Sequence, residues 1–373
     1  MRSILFILST PWSDKLGVSR VSIRISEHLD ALGWHCDHVC FDQPYFNVSV
    51  LDRAFNLFFI QRQVLKYIKK YGFKYDAIQV EHNLIRYPRS KYKYSGKLIA
   101  KSNGLVPIYH EYLKRYKILY PIKFHHKIIQ KINNLSSGGY KVILNGFNES
   151  DQIHVNNEYE LNYVSKIGFA DKSHVIVDGL SDIESNSLLS LYSVQRKFYS
   201  KLIVTIGTWS TRKGSNEWPH LVRALRSADP NFHFRFLGTS ESPTSVISNF
   251  FDEDKDFIEV IPNFEVVDLP ELLKDAKLGV FMSYVEGFGI GLLEMLASGT
   301  PVVTWDVPGP KEMYRHGLRD LITAPGNVLH TKQSILYFNQ LQFNGYRKIS
   351  LEAINISKKF NWRDIANKLD KIL

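Results

Sequence analysis

Glu286-Gly287-Phe288-Gly289-Ile290-Gly291-Leu292-Leu293-Glu294-Met295-Leu296-Ala297-Ser298-Gly299-Thr300-Pro301-Val302-Val303 decides the reading of this chain. Its order is strand end, glycine loop, short helix, tight turn and next strand. Gly287 and Gly289 let the backbone approach a ligand closely. A helix opening directly after them aims its unpaired N–H groups at the same place, which favours an anion such as a phosphate. Glu294 falls about one turn into that helix, beyond a phosphate bound at its tip, where a carboxylate can accept both hydroxyls of a ribose. Glu286 sits on the strand end before the loop, where a sugar beyond the phosphates would lie. Gly299 has the place of a C-cap before the Pro301-Val302-Val303 strand.

Outward from this block, strand-like and helix-like runs alternate, the pattern of a parallel α/β sheet. Before it come Leu202 to Gly207, His233 to Leu237, Ile258 to Ile261 and Leu278 to Met282. Pro301 to Thr304 and Leu321 to Ile322 follow. Helices are expected at 214–228, 269–276, 289–298 and 331–340. An earlier series runs through Ser3 to Ser9, Ala77 to Val80, Leu98 to Ala100, Val142 to Leu144 and His174 to Val177. Between its first members, Val18, Val21, Ile25, Leu29 and Leu32 step by three and four along a helix closed by Gly33. The restart near 180–200 predicts two doubly wound domains presenting ligands at the carboxyl ends of their strands. The chain of 373 residues is comfortable for two domains.

The combination E-G-F-G-x-x-x-x-E-x-x-A-x-G-x-P-V-V resembles the Glu-x7-Glu block of retaining GT-B glycosyltransferases, family four in the usual sequence classification. The resemblance covers the C-terminal half well and the N-terminal half loosely. It implies two Rossmann-like domains facing across a cleft. Residues 1–185 would form an acceptor-binding domain and 200–355 a nucleotide-sugar-binding domain. Residues 356–373 would form a helix crossing back to the N-terminal domain, with Trp362, Ile365, Ala366 and Leu369 as its apolar stripe.

The resemblance also assigns roles. Gly207 to Gly214 is similar to the G-R-x-x-x-x-K-G loop whose cations grip the donor diphosphate. Lys213 and Gly214 match, Thr208 stands at the arginine, and Arg212 is the available substitute; a guanidinium fork beside an ammonium suits a diphosphate. Phe288, Gly289 and Ile290 would meet the donor at the helix tip, with Glu286 on its sugar and Glu294 on its ribose. Gly17, after strand one, would approach the donor phosphate. Asn103 stands nearest the family's sugar-contacting histidine, with His110 and the Glu81-His82 pair as fallbacks. Phe264 lies where the nucleobase is held, to stack on it or to pack in the core. The expected reaction is retaining transfer of a hexose from a UDP- or GDP-sugar to a glycan or lipid-linked acceptor, with no metal or cofactor required. A non-catalytic nucleotide-sugar-binding subunit is the alternative from another class.

Composition narrows the rest. No run approaches the ~20 apolar residues of a membrane helix, and Ile4 to Leu8 is too short for a leader and broken by Pro11. Cys36 and Cys40, within His35-Cys36-Asp37-His38-Val39-Cys40, read as strand residues rather than zinc ligands, because no second ligand pair follows. A reduced, cytoplasmic protein is expected. Net charge is +10, and the stretch from Arg86 to Lys131 holds twelve Lys or Arg against the single acid Glu111, or +11, leaving about −1 for the remainder. Seven tyrosines are interleaved with it. No nucleic-acid-binding module accompanies this charge. It reads as a solvated face or a peripheral contact with an anionic membrane at its inner surface.

Overall fold

The computed structural model describes residues 1–13, 17–41, 50–118 and 139–373, and side chains except those of 18, 50–56 and 139 within these spans. The chain divides into two compact units. One comprises Met1–Ile108, Tyr120–Asp178 and Trp362–Leu373, and the other Tyr109–Leu119 and Gly179–Asn361.

The first unit is built on a six-stranded parallel sheet of order β2-β1-β3-β4-β5-β6. Its strands are β1 (Arg2–Leu8), β2 (Trp34–Cys40), β3 (Ala77–Glu81), β4 (Lys97–Lys101), β5 (Gln152–Val155) and β6 (Ser173–Val175). The apolar run Ile4 to Leu8 is buried throughout, as a central parallel strand covered on both faces must be. Around the sheet lie α1 (Gly17–Asp30), α2 (Val50–Tyr71), α3 (Val106–Arg115) and α4 (Gly139–Glu149). Only residues 106–108 of α3 belong to this unit, the rest packing in the second. Here one expectation fails. Val142 to Leu144 is not a strand but the middle of α4, and the strand is Gln152–Val155. A three-residue apolar run cannot separate the two periods. Its continuation to Phe147, buried with Val142 and Ile143, is helical spacing.

The second unit repeats the plan with order β12-β11-β10-β7-β8-β9. The strands are β7 (Leu202–Ile206), β8 (His233–Leu237), β9 (Ile258–Ile261), β10 (Ala276–Phe281), β11 (Val302–Trp305) and β12 (Ile322–Thr323). Among its helices are α5 (Trp218–Ala228), α6 (Ile290–Ala297) and α7 (Phe343–Ser357). The chain then returns to the first unit as α8 (Trp362–Asp370), and the predicted stripe Trp362, Ile365, Ala366 and Leu369 is buried against Ile4, Phe6, Ile25 and Trp34. Trp34 Nε1 donates to Asp370 Oδ1 at 2.8 Å. No helix among the described residues is long and apolar enough to cross a membrane.

Candidate active site

In the second sheet β7 lies between β8 and β10, so the strand order reverses at β7/β10. Loops leaving the carboxyl ends of such neighbours diverge to opposite faces and open a crevice between them. The loop after β7 is 207–214 and the loop after β10 is 282–289, the two stretches singled out by sequence. They are pinned together. A Cβ on Gly214 (φ +79°) would stand 2.5 Å from the Met282 carbonyl oxygen, so only glycine fits there. Tyr284 N–H donates to the Arg212 carbonyl at 2.9 Å.

Three charged side chains meet at this junction. Arg212 Nη1 lies 2.9 Å from Glu286 Oε1 and donates to the Val285 carbonyl at 3.2 Å, and Lys213 Nζ pairs with the same carboxylate oxygen. Ser283 also bonds the carboxylate. Glu286 is buried. Burial alone would raise its carboxyl, but the adjoining Lys213 and Arg212 charges outweigh that and hold it below the usual range. Burial pushes the Lys213 ammonium down against the pull of Glu286, and Arg212 adds to the depression. The cluster carries two cations on one anion, an excess of one positive charge in a poorly solvated place. Such a place attracts a further anion.

The glycine loop runs directly into a helix, the order the sequence implied. Gly289 takes φ +103° and caps α6, whose N–H groups begin at Ile290. A Cβ on Gly291 would stand 2.9 Å from Ile206 Cβ, so α6 starts in direct contact with the end of β7. Glu294 is buried on α6. Phe288 is placed differently: its ring packs 5.5 Å from Phe360 in the interior, leaving only its backbone at the loop. Phe264 is half-buried with its ring against Gly238, at the carboxyl end of β8. A crevice beside Lys213 is lined by Gly207, Thr208, Ser210, Ser215 and Ser283. The Ser210 hydroxyl is buried there with no hydrogen-bond partner among the described residues. Motif matching passed over Ser210; only the fold shows where it points.

The remaining candidates lie in the first unit, apart from His110, which falls in the part of α3 assigned to the second. Gly17 is exposed at the start of α1, and neither its φ nor any described atom within 4 Å demands a glycine there. Asn103 is half-buried just beyond β4. His82 is a core residue. Its Nδ1 faces the Lys101 carbonyl at 3.2 Å, its ring lies 5.9 Å from Phe147, and burial pushes it down to about 4, so it is neutral. Glu81 ties the end of β3 to the loop after β1 by accepting from Ser9 N–H at 3.2 Å and Ser9 Oγ at 2.6 Å. His110 is exposed on α3. Sequence reasoning missed a buried polar cluster beyond β4 to β6. There Lys101 Nζ donates to Asn156 Oδ1 at 2.6 Å and to the Ile176 carbonyl at 3.2 Å, while Glu160 accepts from Leu105 and Asn156 N–H. A lysine inside an apolar strand is the only mark it leaves in sequence.

Two doubly wound parallel sheets linked by a returning C-terminal helix define the GT-B class of fold, and solved glycosyltransferases share it over the whole chain. Sucrose-phosphate synthase from Thermosynechococcus elongatus superposes with a TM-score of 0.72 at 16% identity, covering 100% of this chain and 98% of that one. The Anabaena protein Alr3699/HepE, solved with UDP and glucose, gives 0.64 at 14% identity over 98% of each. Residues 195–359, within the second unit, match the family Glycosyl transferases group 1. O-antigen chain mannosyltransferase B of Escherichia coli is 33% identical over 98 residues, 26% of this chain. The matched stretch spans a quarter of that enzyme's length.

Proposed function

We propose that this chain is a retaining glycosyltransferase that moves a hexose from a nucleoside diphosphate sugar to a glycan or lipid-linked glycan, in assembly of a surface polysaccharide. The observation that carries the reading is the Arg212–Glu286–Lys213 cluster beside the tip of α6, at the switch point of a group 1 glycosyltransferase domain. The Anabaena neighbour's UDP and the mannosyltransferase's O-antigen role support the donor and acceptor classes.

The chemistry follows from charge. A donor diphosphate brings more negative charge than one carboxylate and takes the two cations from Glu286. Arg212 grips phosphate oxygens as a fork, Lys213 as a point charge, and the N–H groups at Gly289 and Ile290 complete the cradle. Glu286 then turns to the hydroxyls of the hexose and Glu294 to the ribose. As the bond from the anomeric carbon to phosphate breaks, charge grows on the leaving oxygen, where Lys213 and Arg212 already stand. The acceptor oxygen attacks from the same face and its proton passes to the departing phosphate, which preserves configuration. Fixed positive groups do what a divalent ion would otherwise do, so no metal is needed. The first unit binds the acceptor, its Gly17 approaches the donor phosphate and its Asn103 the transferred sugar, and Phe264 flanks the base. The protein works at the inner face of the cell membrane.

The test is release of nucleoside diphosphate from a panel of UDP-, GDP-, dTDP- and ADP-sugars. One donor should turn over with wild type and fail with Lys213→Ala. Turnover of none, or equal turnover by the variant, contradicts the reading.

A further inference from the structure

The charge the sequence places at 86–131 is partly consumed within the fold. Lys101 is buried. Arg89 pairs with Asp151, Arg115 with Glu111, and Lys97 donates to the Ile372 and Leu373 carbonyls. Lys123, Lys127 and Lys131 lie outside the described residues. Another basic surface stands free nearby. Between Leu57 and Tyr75 the chain carries five Lys or Arg and no acid. On α2 the inner face is Ile60, Gln61, Val64 and Ile68, all buried. The outer face steps through Phe59, Arg62, Lys66 and Lys69 to Phe73 in the turn that follows, at intervals of three and four. All five are exposed, Phe59 by 52% and Phe73 by 79%, which is unusual for rings that could have packed inward. From Phe59 to Phe73 the stripe is ~20 Å long at 1.5 Å per residue.

Topology extends it. β3 and β4 are parallel neighbours with Ala77 opposite Lys97, so the turns before them emerge side by side at the amino edge of the sheet. One turn carries Phe73 and Lys74, the other Lys93 at a left-handed helix end. Gly72 packs against Tyr94, joining the two. Lys70 and Lys74 stand 4.9 and 5.6 Å from the Tyr71 ring. Among the described residues, no carboxylate forms an ion pair with Arg62, Lys66, Lys69, Lys70 or Lys74.

We infer that the outer face of α2 and the turn after it form a docking surface for an anionic lipid bilayer. Lysine and arginine heads meet lipid phosphates while Phe59 and Phe73 enter the boundary between headgroups and acyl chains, the arrangement of an interfacial amphipathic helix. The surface runs to the edge opposite the strand ends that carry ligands, so docking leaves those ends open. The inference deepens the proposed membrane location. It needs neither donor nor acceptor, so it fails or stands separately from the transferase reading.

The experiment is flotation of the full chain with vesicles of phosphatidylcholine alone or with 30% phosphatidylglycerol. Each basic residue near such a surface is worth about fivefold in partition. Wild type should bind the anionic vesicles and be released at high salt, where screening shortens to about 3 Å. Lys69→Glu/Lys70→Glu/Lys74→Glu should lower binding by at least ~100-fold. Phe73→Ser should lower it by about tenfold while keeping the salt dependence. Circular dichroism melts matching wild type confirm that both variants fold, and Phe73→Leu should restore binding. Unaltered binding by both variants, or equal or absent binding of wild type to the two vesicle types, overturns the inference.

Discussion

At the residue scale the site is a problem in placing charge. Glu286 and Glu294 are acids separated by seven residues, yet their surroundings differ. Glu286 is buried between two cations, whereas Glu294 is buried on a helix one turn from its tip. If Glu294 accepts ribose hydroxyls, Glu294→Ala should weaken nucleoside diphosphate binding by about 1.5–3 kcal/mol, the range for a charge-assisted hydrogen bond. Calorimetry on the folded variant checks this, and unchanged affinity would remove the role. Lys213→Ala should depress turnover more than donor binding, because charge on a leaving group is felt most in the transition state. The glutamates and Lys213 were legible because their spacing is rigidly tied to the loop and helix. The engagement of Arg212 with Glu286 was not. It depends on two loops 74 positions apart being pinned at Gly214. His82 misled for the matching reason: a histidine beside a glutamate looks chemical until burial shows it neutral and packed on Phe147.

At the scale of elements, close packing explains why particular residues are fixed. The start of α6 rests on the end of β7 through Gly291, and a methyl there would overlap Ile206. Gly291→Ala should therefore destabilise by about 1–3 kcal/mol, the cost of overpacking, and shift the tip of α6. Denaturant unfolding measures the first effect and nucleotide affinity the second. Lys197 offers a test of burial. Its ammonium is fully buried, donating to the Leu273 carbonyl at 2.6 Å and Thr300 Oγ1 at 2.8 Å, and burial pushes it down to about 7 from 10.5. Its folded pKa lies below its unfolded one, so between pH 7 and 10.5 the unfolded chain binds the extra proton. Stability contributed by this site should rise with pH across that window, by up to about 1.4 kcal/mol per unit, and level off below 7. Melting curves of wild type against Lys197→Met from pH 7 to 9.5 should diverge in favour of wild type; parallel curves would refute it. Strands such as Leu202 to Ile206 were legible from apolar runs bounded by glycine. Gln152–Val155 was not, because Gln152 and His154 break its apolar character: His154 Nε2 bonds Gln152 Oε1 at 3.0 Å, a polar pair inside a sheet.

At the scale of the whole molecule, two parallel sheets of similar plan divide the chain, and α8 returns to finish the core of the first. The repeated alternation of strand and helix made that architecture readable. The membership of Tyr109 to Arg115 in the second unit was not readable, since nothing local separates them from the start of the same helix. If Arg212, Lys213 and the tip of α6 hold the leaving phosphates as proposed, activity should survive EDTA. Loss in EDTA restored by magnesium or manganese would contradict that. As proposed, this site transfers a sugar from a nucleoside diphosphate with its configuration kept. NMR of the product formed from an α-linked donor tests it most directly. An α linkage at the transferred sugar and equimolar nucleoside diphosphate are expected; a β linkage, or no transfer from any donor that the protein binds, would contradict this.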